Sequence, residues 1–251
     1  MPHQIVNRGI NLLVVDKIIG HRGASAYAPE NTLASFEKAL SLGCRLIEFD
    51  VMCSADGEPF IFHDDNLKRT TNGKGSVGLV SSEYLQSLDA GSWFSKSYKE
   101  EKIPHFKDVL KWLSFSGMQA NIEIKPFPGA VEQTTVAVLS HIHRYWPQTK
   151  ELPLVSSFEW EALLLCRSIA PEMPIGLLFH EWDENWLQKA KQLDCYSIHF
   201  NRKILTAERV KAVKDQGYVV CVYTVNRKRQ ANKLFDWGVD AVFSDYPDLL
   251  I

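Results

Sequence analysis

Four short segments carry polar pairs suited to phosphodiester cleavage: His21-Arg22, Glu48-Phe49-Asp50, His63-Asp64 and Glu123-Ile124-Lys125. Three carboxylates, Glu48, Asp50 and Glu123, could hold a divalent cation. Two histidines, His21 and His63, could move protons, histidine being the natural proton carrier near neutral pH. Arg22 could grip two phosphate oxygens through its fork, and Lys125 could act as a point charge. Glu48 and Asp50 stand two apart in an apolar run, Leu46-Ile47-Glu48-Phe49-Asp50-Val51, so on a strand they share a face. Two carboxylates on one face repel each other and lose hydration, and a cation or a basic partner must compensate. Glu123 and Lys125 repeat the spacing, as a third ligand beside a phosphate contact or as a local ion pair. An all-oxygen set favours Mg²⁺ or Ca²⁺, with Mn²⁺ possible, over zinc.

Each of the four groups closes a stretch that reads as a β-strand, which prompts the question of what fold would bring them together. Strand and helix signals alternate along the chain. Principal strands are expected to begin near residues 17, 45, 119, 154, 174, 196, 218 and 241, with a further short one at 58–62. The intervening segments have helical spacing, as in Leu33, Phe36, Ala39 and Leu40, which Gly43 terminates. Alternating units of this kind make a parallel sheet, and eight of them favour a closed barrel over an open doubly wound sheet. No G-x-G-x-x-G follows the first strand, which weakens a dinucleotide-binding reading. The expectation is an α/β fold, a TIM (β/α)8 barrel, with sites at the carboxyl ends of its strands. Residues 64–103, rich in Asn, Gly, Ser and Thr, break the rhythm and read as a small insertion after the second strand. The chain is read as a single domain over 1–251, with 1–16 as an N-terminal extension.

Composition agrees. The 251 residues, 45% of them hydrophobic, suffice for one barrel, and the formal net charge of −2 argues against a nucleic-acid partner. The basic run Arg227-Lys228-Arg229 reads as a solvated helix start. Five cysteines without a C-x-x-C pair argue against a disulfide framework or zinc cluster and point to a reducing compartment. With no signal-peptide pattern and no run of about 18 apolar residues, the expectation is a soluble cytoplasmic protein without stable membrane association, monomeric or homodimeric. His3, His105, His141, His143, His180 and His199 are set aside as surface or core residues. Phe158, Tyr223 and the pair Trp93-Phe94 are candidates for an apolar wall of the site.

The constellation resembles the glycerophosphodiester phosphodiesterase family, and in particular its short cytoplasmic bacterial members. His21-Arg22-Gly23 followed by Ala28-Pro29-Glu30-Asn31-Thr32 is similar to the family's opening signature, with Glu48-x-Asp50 at the expected distance. His63-Asp64-x-x-Leu67-x-Arg69-Thr70-Thr71-Asn72-Gly73 is similar to the second signature and opens the family's insertion. Asp89-Ala90-Gly91 and Lys102-Ile103-Pro104 resemble its end. Glu123-Ile124-Lys125, Tyr223-Thr224-Val225-Asn226, Gly238-Val239-Asp240 and Ser244-Asp245-Tyr246-Pro247 complete the series, over residues 17–251. One departure is Tyr223, where family members often carry Trp. The resemblance implies a TIM barrel in which Glu48, Asp50 and Glu123 bind a divalent metal, His21 and His63 are the acid–base pair, and Arg22 and Lys125 contact phosphate. It implies a small-molecule substrate, a glycerophosphodiester split into glycerol 3-phosphate and an alcohol. Alternatives on the same residues are a lyase acting on phospholipid, a Mg²⁺ barrel enzyme that enolises its substrate with Lys125 as base, and a non-catalytic barrel that binds phosphodiesters.

Overall fold

The alternation of apolar strand and amphipathic helix resolves, in a computed structural model that describes residues 17–249, into nine strands and eight α-helices among those residues. The strands are β1 (Ile18–His21), β2 (Leu46–Cys53), β3 (Pro59–Ile61), β4 (Gln119–Ile124), β5 (Leu154–Ser157), β6 (Ile175–Phe179), β7 (Ser197–Asn201), β8 (Val219–Tyr223) and β9 (Ala241–Ser244). The helices are α1 (Leu33–Ser41), α2 (Ser82–Ser87), α3 (Phe106–Ser116), α4 (Val131–Tyr145), α5 (Trp160–Ile169), α6 (Trp186–Gln192), α7 (Ala207–Lys214) and α8 (Lys228–Asp236). Around the barrel the order is β1-β9-β8-β7-β6-β5-β4-β2, and β1 pairs with β2 to close it. All eight neighbours are parallel. The structure is a TIM barrel with helices outside. The proposed 1–16 extension lies outside the described residues, of which no helix is long and apolar enough to cross a membrane.

Pleating sorts each strand's side chains into two cores. On β2, Ile47, Phe49 and Val51 face outward and join Phe36 of α1 and Phe106, Val109 and Leu110 of α3 in the helix layer. Leu46, on the other face, joins Ile19, Cys221, Ala241 and Phe243 in an apolar plug inside the barrel. The inner side chains beyond that plug are polar, and they build the site described below. The chain is turned tightly where it must be. Thr32 caps α1 reciprocally with Ser35, and Gly43 follows its end with φ 90°.

One segment departs from simple βα rhythm. β2 does not stop at Asp50: Val51–Cys53 pair antiparallel with Pro59–Ile61 of β3. The second histidine therefore arrives on the return limb of a hairpin rather than at the end of a barrel strand. A third core secures that limb, with Met52, Phe60 and Phe62 packed against Leu67, Val77, Leu85 and Leu88. Residues 64–103 thus fold as an ordered cover over the hairpin, with α2 and a core of their own. Trp93 and Phe94, considered above as a site wall, lie in this cover and do not border the cavity described below: their rings meet edge to face at 5.7 Å, Trp93 Nε1 donates to Ala90 O, and Trp93 is exposed.

Candidate active site

Strand register brings the first carboxylates level. His21 pairs with Glu48, Glu48 with Asn121, and Asp50 with Glu123. Oxygens of Glu48, Asp50 and Glu123 all lie within 4.8 Å of one another, and all three side chains are buried. Such proximity is costly for three negative charges. Burial, together with repulsion from Asp50 and Glu123, pushes the Glu48 carboxyl well up. Burial and Asp50 push Glu123 up to about 8, against the pull of Lys125 and Arg22. For Asp50 burial acts in the same sense, but Arg22, His63, Lys125 and a bond from Asn31 outweigh it and hold the carboxyl below its usual range. An all-oxygen, charge-excess pocket of this kind is chemically fit for a hard divalent cation, which would let all three carboxylates ionise.

Arg22 follows β1 in the left-handed region, with φ 53°. Such a backbone is costly for a residue with a Cβ and occurs where the surroundings hold it. Here Arg22 N donates to Glu48 Oε2 at 2.9 Å, and Arg22 O accepts from Asn31 N and Ser35 Oγ. Asn31, also left-handed at φ 58°, donates through Nδ2 to Asp50 Oδ2 at 2.9 Å. The guanidinium of Arg22 donates to Glu30 Oε1 at 2.7 Å, and its Nε lies 3.6 Å from Asp50 Oδ2. Lys125 Nζ is 3.9 Å from Asp50 Oδ1 and does not border the cavity that the other residues line.

The two histidines are anchored alike. His21 Nδ1 lies 2.6 Å from Asp245 Oδ1, and His63 Nδ1 lies 2.7 Å from Asp64 Oδ1. A carboxylate at Nδ1 fixes the ring orientation and favours the tautomer with its proton there, which leaves Nε2 as the basic nitrogen. Each carboxylate is itself held. Asp245 accepts from Ser25 Oγ and Asn226 Nδ2, and these bonds with His21 outweigh burial and lower it to about 2. Asp64 accepts from Arg69 Nε and Nη2, which hold it far below the usual carboxylate range. Arg69 also clasps Glu30, the partner of Arg22, so one charged chain links both sides of the mouth. Burial, with repulsion from Arg22 and Lys125, pulls His63 below its ordinary value against the attraction of Asp50 and Asp64.

His21, Arg22, Glu48, Asp50, His63 and Glu123 line a cavity of about 260 Å³. Phe158 and Tyr223 form part of its wall, with rings edge to face at 5.9 Å, and Tyr223 Oη donates to Phe179 O. Eight of the nine singled-out residues therefore surround one space, and Lys125 adjoins it through Asp50. His180 and His199, set aside above, also border it. The orienting roles of Asp245, Asp64, Arg69 and Glu30 are readable only from the fold. Their one sequence signal is that all four sit within the quoted motifs.

A model of the glycerophosphoryl diester phosphodiesterase family matches residues 21–249. A glycerophosphodiester phosphodiesterase of Caldanaerobacter subterraneus subsp. tengcongensis is 34% identical, over 93% of this chain and 96% of its own. One from Bacillus subtilis is 33% identical, over 99% of this chain and 90% of its own. Among solved structures, an Oleispira antarctica phosphodiesterase in complex with the product sn-glycerol-3-phosphate superposes with a TM-score of 0.91 at 39% identity, covering 94% of this chain and 95% of that one.

Proposed function

Because this chain belongs to the glycerophosphoryl diester phosphodiesterase family, we propose that it hydrolyses deacylated phospholipids, such as glycerophosphocholine and glycerophosphoethanolamine, to sn-glycerol 3-phosphate and an alcohol. The observation that carries the reading is the convergence, on one cavity, of three buried carboxylates and two carboxylate-anchored histidines. The product held by the Oleispira relative supports the same assignment. Its place of action on this reading is the cytoplasm.

Glu48, Asp50 and Glu123 would hold one divalent cation, Mg²⁺ or Ca²⁺, with Mn²⁺ also suited to the oxygen set. When bound, the ion supplies positive charge against the phosphate and the charge that develops on its oxygens. The protein's own groups do the rest. Arg22 and Lys125 add cationic contacts at the phosphate, where preorganised charge favours the more anionic transition state. One histidine of the pair His21 and His63 takes the proton from the glycerol hydroxyl beside the phosphoester as its oxygen attacks phosphorus. The other gives a proton to the departing alkoxide. The cyclic phosphodiester so formed is then opened by water, with the two proton transfers reversed. Phe158 and Tyr223 would wall the glycerol.

The reaction is tested by phosphorus NMR of glycerophosphocholine turnover. Glycerol 3-phosphate as product, with a cyclic glycerol phosphate trapped early and overall retention at phosphorus, is the expected result. Phosphocholine as the phosphorus-bearing product would exclude this bond cleavage, and inversion would exclude the cyclic route.

A further inference from the structure

Arg69 stands near the start of the cover, and its guanidinium joins two carboxylates that serve different parts of the site. Nε and Nη2 donate to Asp64 at 2.6 and 2.9 Å, while Nη1 and Nη2 each donate to Glu30 at 2.7 Å. Asp64 anchors His63, and Glu30 accepts from Arg22. Two bidentate contacts from one planar fork are a geometry that an ammonium could not reproduce.

Glu30 is the shared member. Its Oε1 accepts from Arg22 Nη1 and from Arg69 Nη2, both at 2.7 Å, and its Oε2 accepts from Arg69 Nη1. Burial would raise this carboxyl, but the bonds and charges of Arg69 and Arg22 outweigh it and keep it below its ordinary range. Arg22 is held less completely. Its Nε is buried without a hydrogen-bond partner, 3.6 Å from Asp50 Oδ2. Arg22 borders the site cavity and also, with Glu30, a second cavity of about 260 Å³.

An arginine engaged by one carboxylate is a poor ligand for a phosphate. Turning to the anion would leave that carboxylate unpaired, and the Glu30 side chain is only 13% exposed. Arg69 removes this penalty, because its two bonds keep Glu30 paired whether or not Arg22 holds it. We propose that Arg69 is a positioning residue that lets Arg22 pass from Glu30 to the substrate phosphate, while through Asp64 it holds His63 in place. The cover is thereby joined to phosphate binding as well as to a proton carrier. This inference rests on the glycerophosphodiester reading above, in which Arg22 contacts phosphate.

The test is a cycle of Arg69→Met, Glu30→Gln and the double variant, with glycerophosphocholine and Mg²⁺. In Arg69→Met, Glu30 keeps only Arg22 of its two cations and competes with phosphate for it, so KM should rise roughly 10- to 100-fold. Adding Glu30→Gln should return KM most of the way to the wild-type value, whereas Glu30→Gln alone should not lower it. The share of the loss that passes through Asp64 and His63 belongs to kcat and should persist in the double variant. A role confined to holding the fold together predicts no rescue, since the double variant removes still more bonds. An unchanged KM in Arg69→Met, or a KM in the double variant no lower than in Arg69→Met, would overturn the proposal. Arg69→Lys guards against an unfolded variant: it keeps the charge without both forks, and Glu30→Gln should lower its KM in the same way. Calorimetric binding of inorganic phosphate to the Mg²⁺-loaded protein reads the same pattern in Kd without turnover. That pattern without release of glycerol 3-phosphate would fault the reaction and leave the role of Arg69 standing.

Discussion

Glu48, Asp50 and Glu123 in the barrel mouth and Glu58, His105 and His141 on its outer flank each bring three ligand atoms within 4.8 Å of one another. The outer group is already satisfied. His105 Nε2 lies 2.9 Å from Glu58 Oε2, its Nδ1 accepts from Lys107 N and caps α3, and His141 Nδ1 is bonded to Ala137 O. The proton that His105 shares with Glu58 occupies the nitrogen an ion would need. In the inner group, three buried carboxylates face one another with more negative charge than Arg22 and Lys125 offset, and Glu48 and Glu123 are driven toward protonation. Proximity of ligand types is common to both. Unmet charge is peculiar to the mouth, and unmet charge is what calls for a cation.

Substitutions put the contrast at risk most directly. Asp50→Asn should abolish calorimetric Mg²⁺ binding and lower glycerol 3-phosphate release by ~10³ or more. Glu58→Gln and His141→Ala should stay within about twofold. A large loss from the outer pair would erase the distinction. His21→Ala and His63→Ala should each lower turnover by ~10²–10⁴ with circular dichroism unchanged; near-normal activity in either removes that residue from the chemistry. Asp245→Asn should cost less, on the order of 10², and should displace the pH–rate profile, because the carboxylate orients His21 rather than reacting. An unchanged profile would reduce Asp245 to a structural role.

Two stability measurements sharpen the comparison further. A cation bound at 100 times its Kd stabilises the folded chain by about 2.7 kcal/mol. Mg²⁺ should therefore raise Tm by several degrees in the wild type and in His141→Ala, but not in Asp50→Asn. His199 gives a smaller effect. Burial lowers it from 6.5 to about 3, so the folded state disfavours its protonated form. Its contribution is complete above pH 6.5 and is lost as pH falls from there toward 3, about 2 kcal/mol of it by pH 5. Thermal unfolding between pH 7 and 5 should be less pH-sensitive in His199→Phe; an equal slope would contradict the buried neutral imidazole.

The parts of this molecule legible from sequence are those set by local periodicity. Glu48 and Asp50 share a strand face because they are two apart, and that alone foretold their meeting. The eight βα units were likewise readable from apolar runs and the stops between them. The short strand before His63 was readable as well, at 58–62, but its antiparallel pairing was not, because Val51–Cys53 continue the apolar run of β2 without marking the change of partner from barrel strand to Pro59–Ile61. Asp245 was quoted in a motif but given no role. It meets His21 across 224 residues, and only barrel closure between β1 and β9 brings the two together. His199, set aside as a surface or core residue, is fully buried, and what the sequence did not show is that Gly176 on the neighbouring strand leaves the room its ring occupies.

The most direct test of the central claim, that three buried carboxylates at the barrel mouth hold a cation needed for phosphodiester cleavage, is release of glycerol 3-phosphate from glycerophosphocholine and glycerophosphoethanolamine in EDTA and after restoring Mg²⁺, Ca²⁺ or Mn²⁺. Release from both that is abolished by EDTA and recovered with a divalent ion is the predicted result. Undiminished release in EDTA, from protein shown to be free of metal, would contradict it.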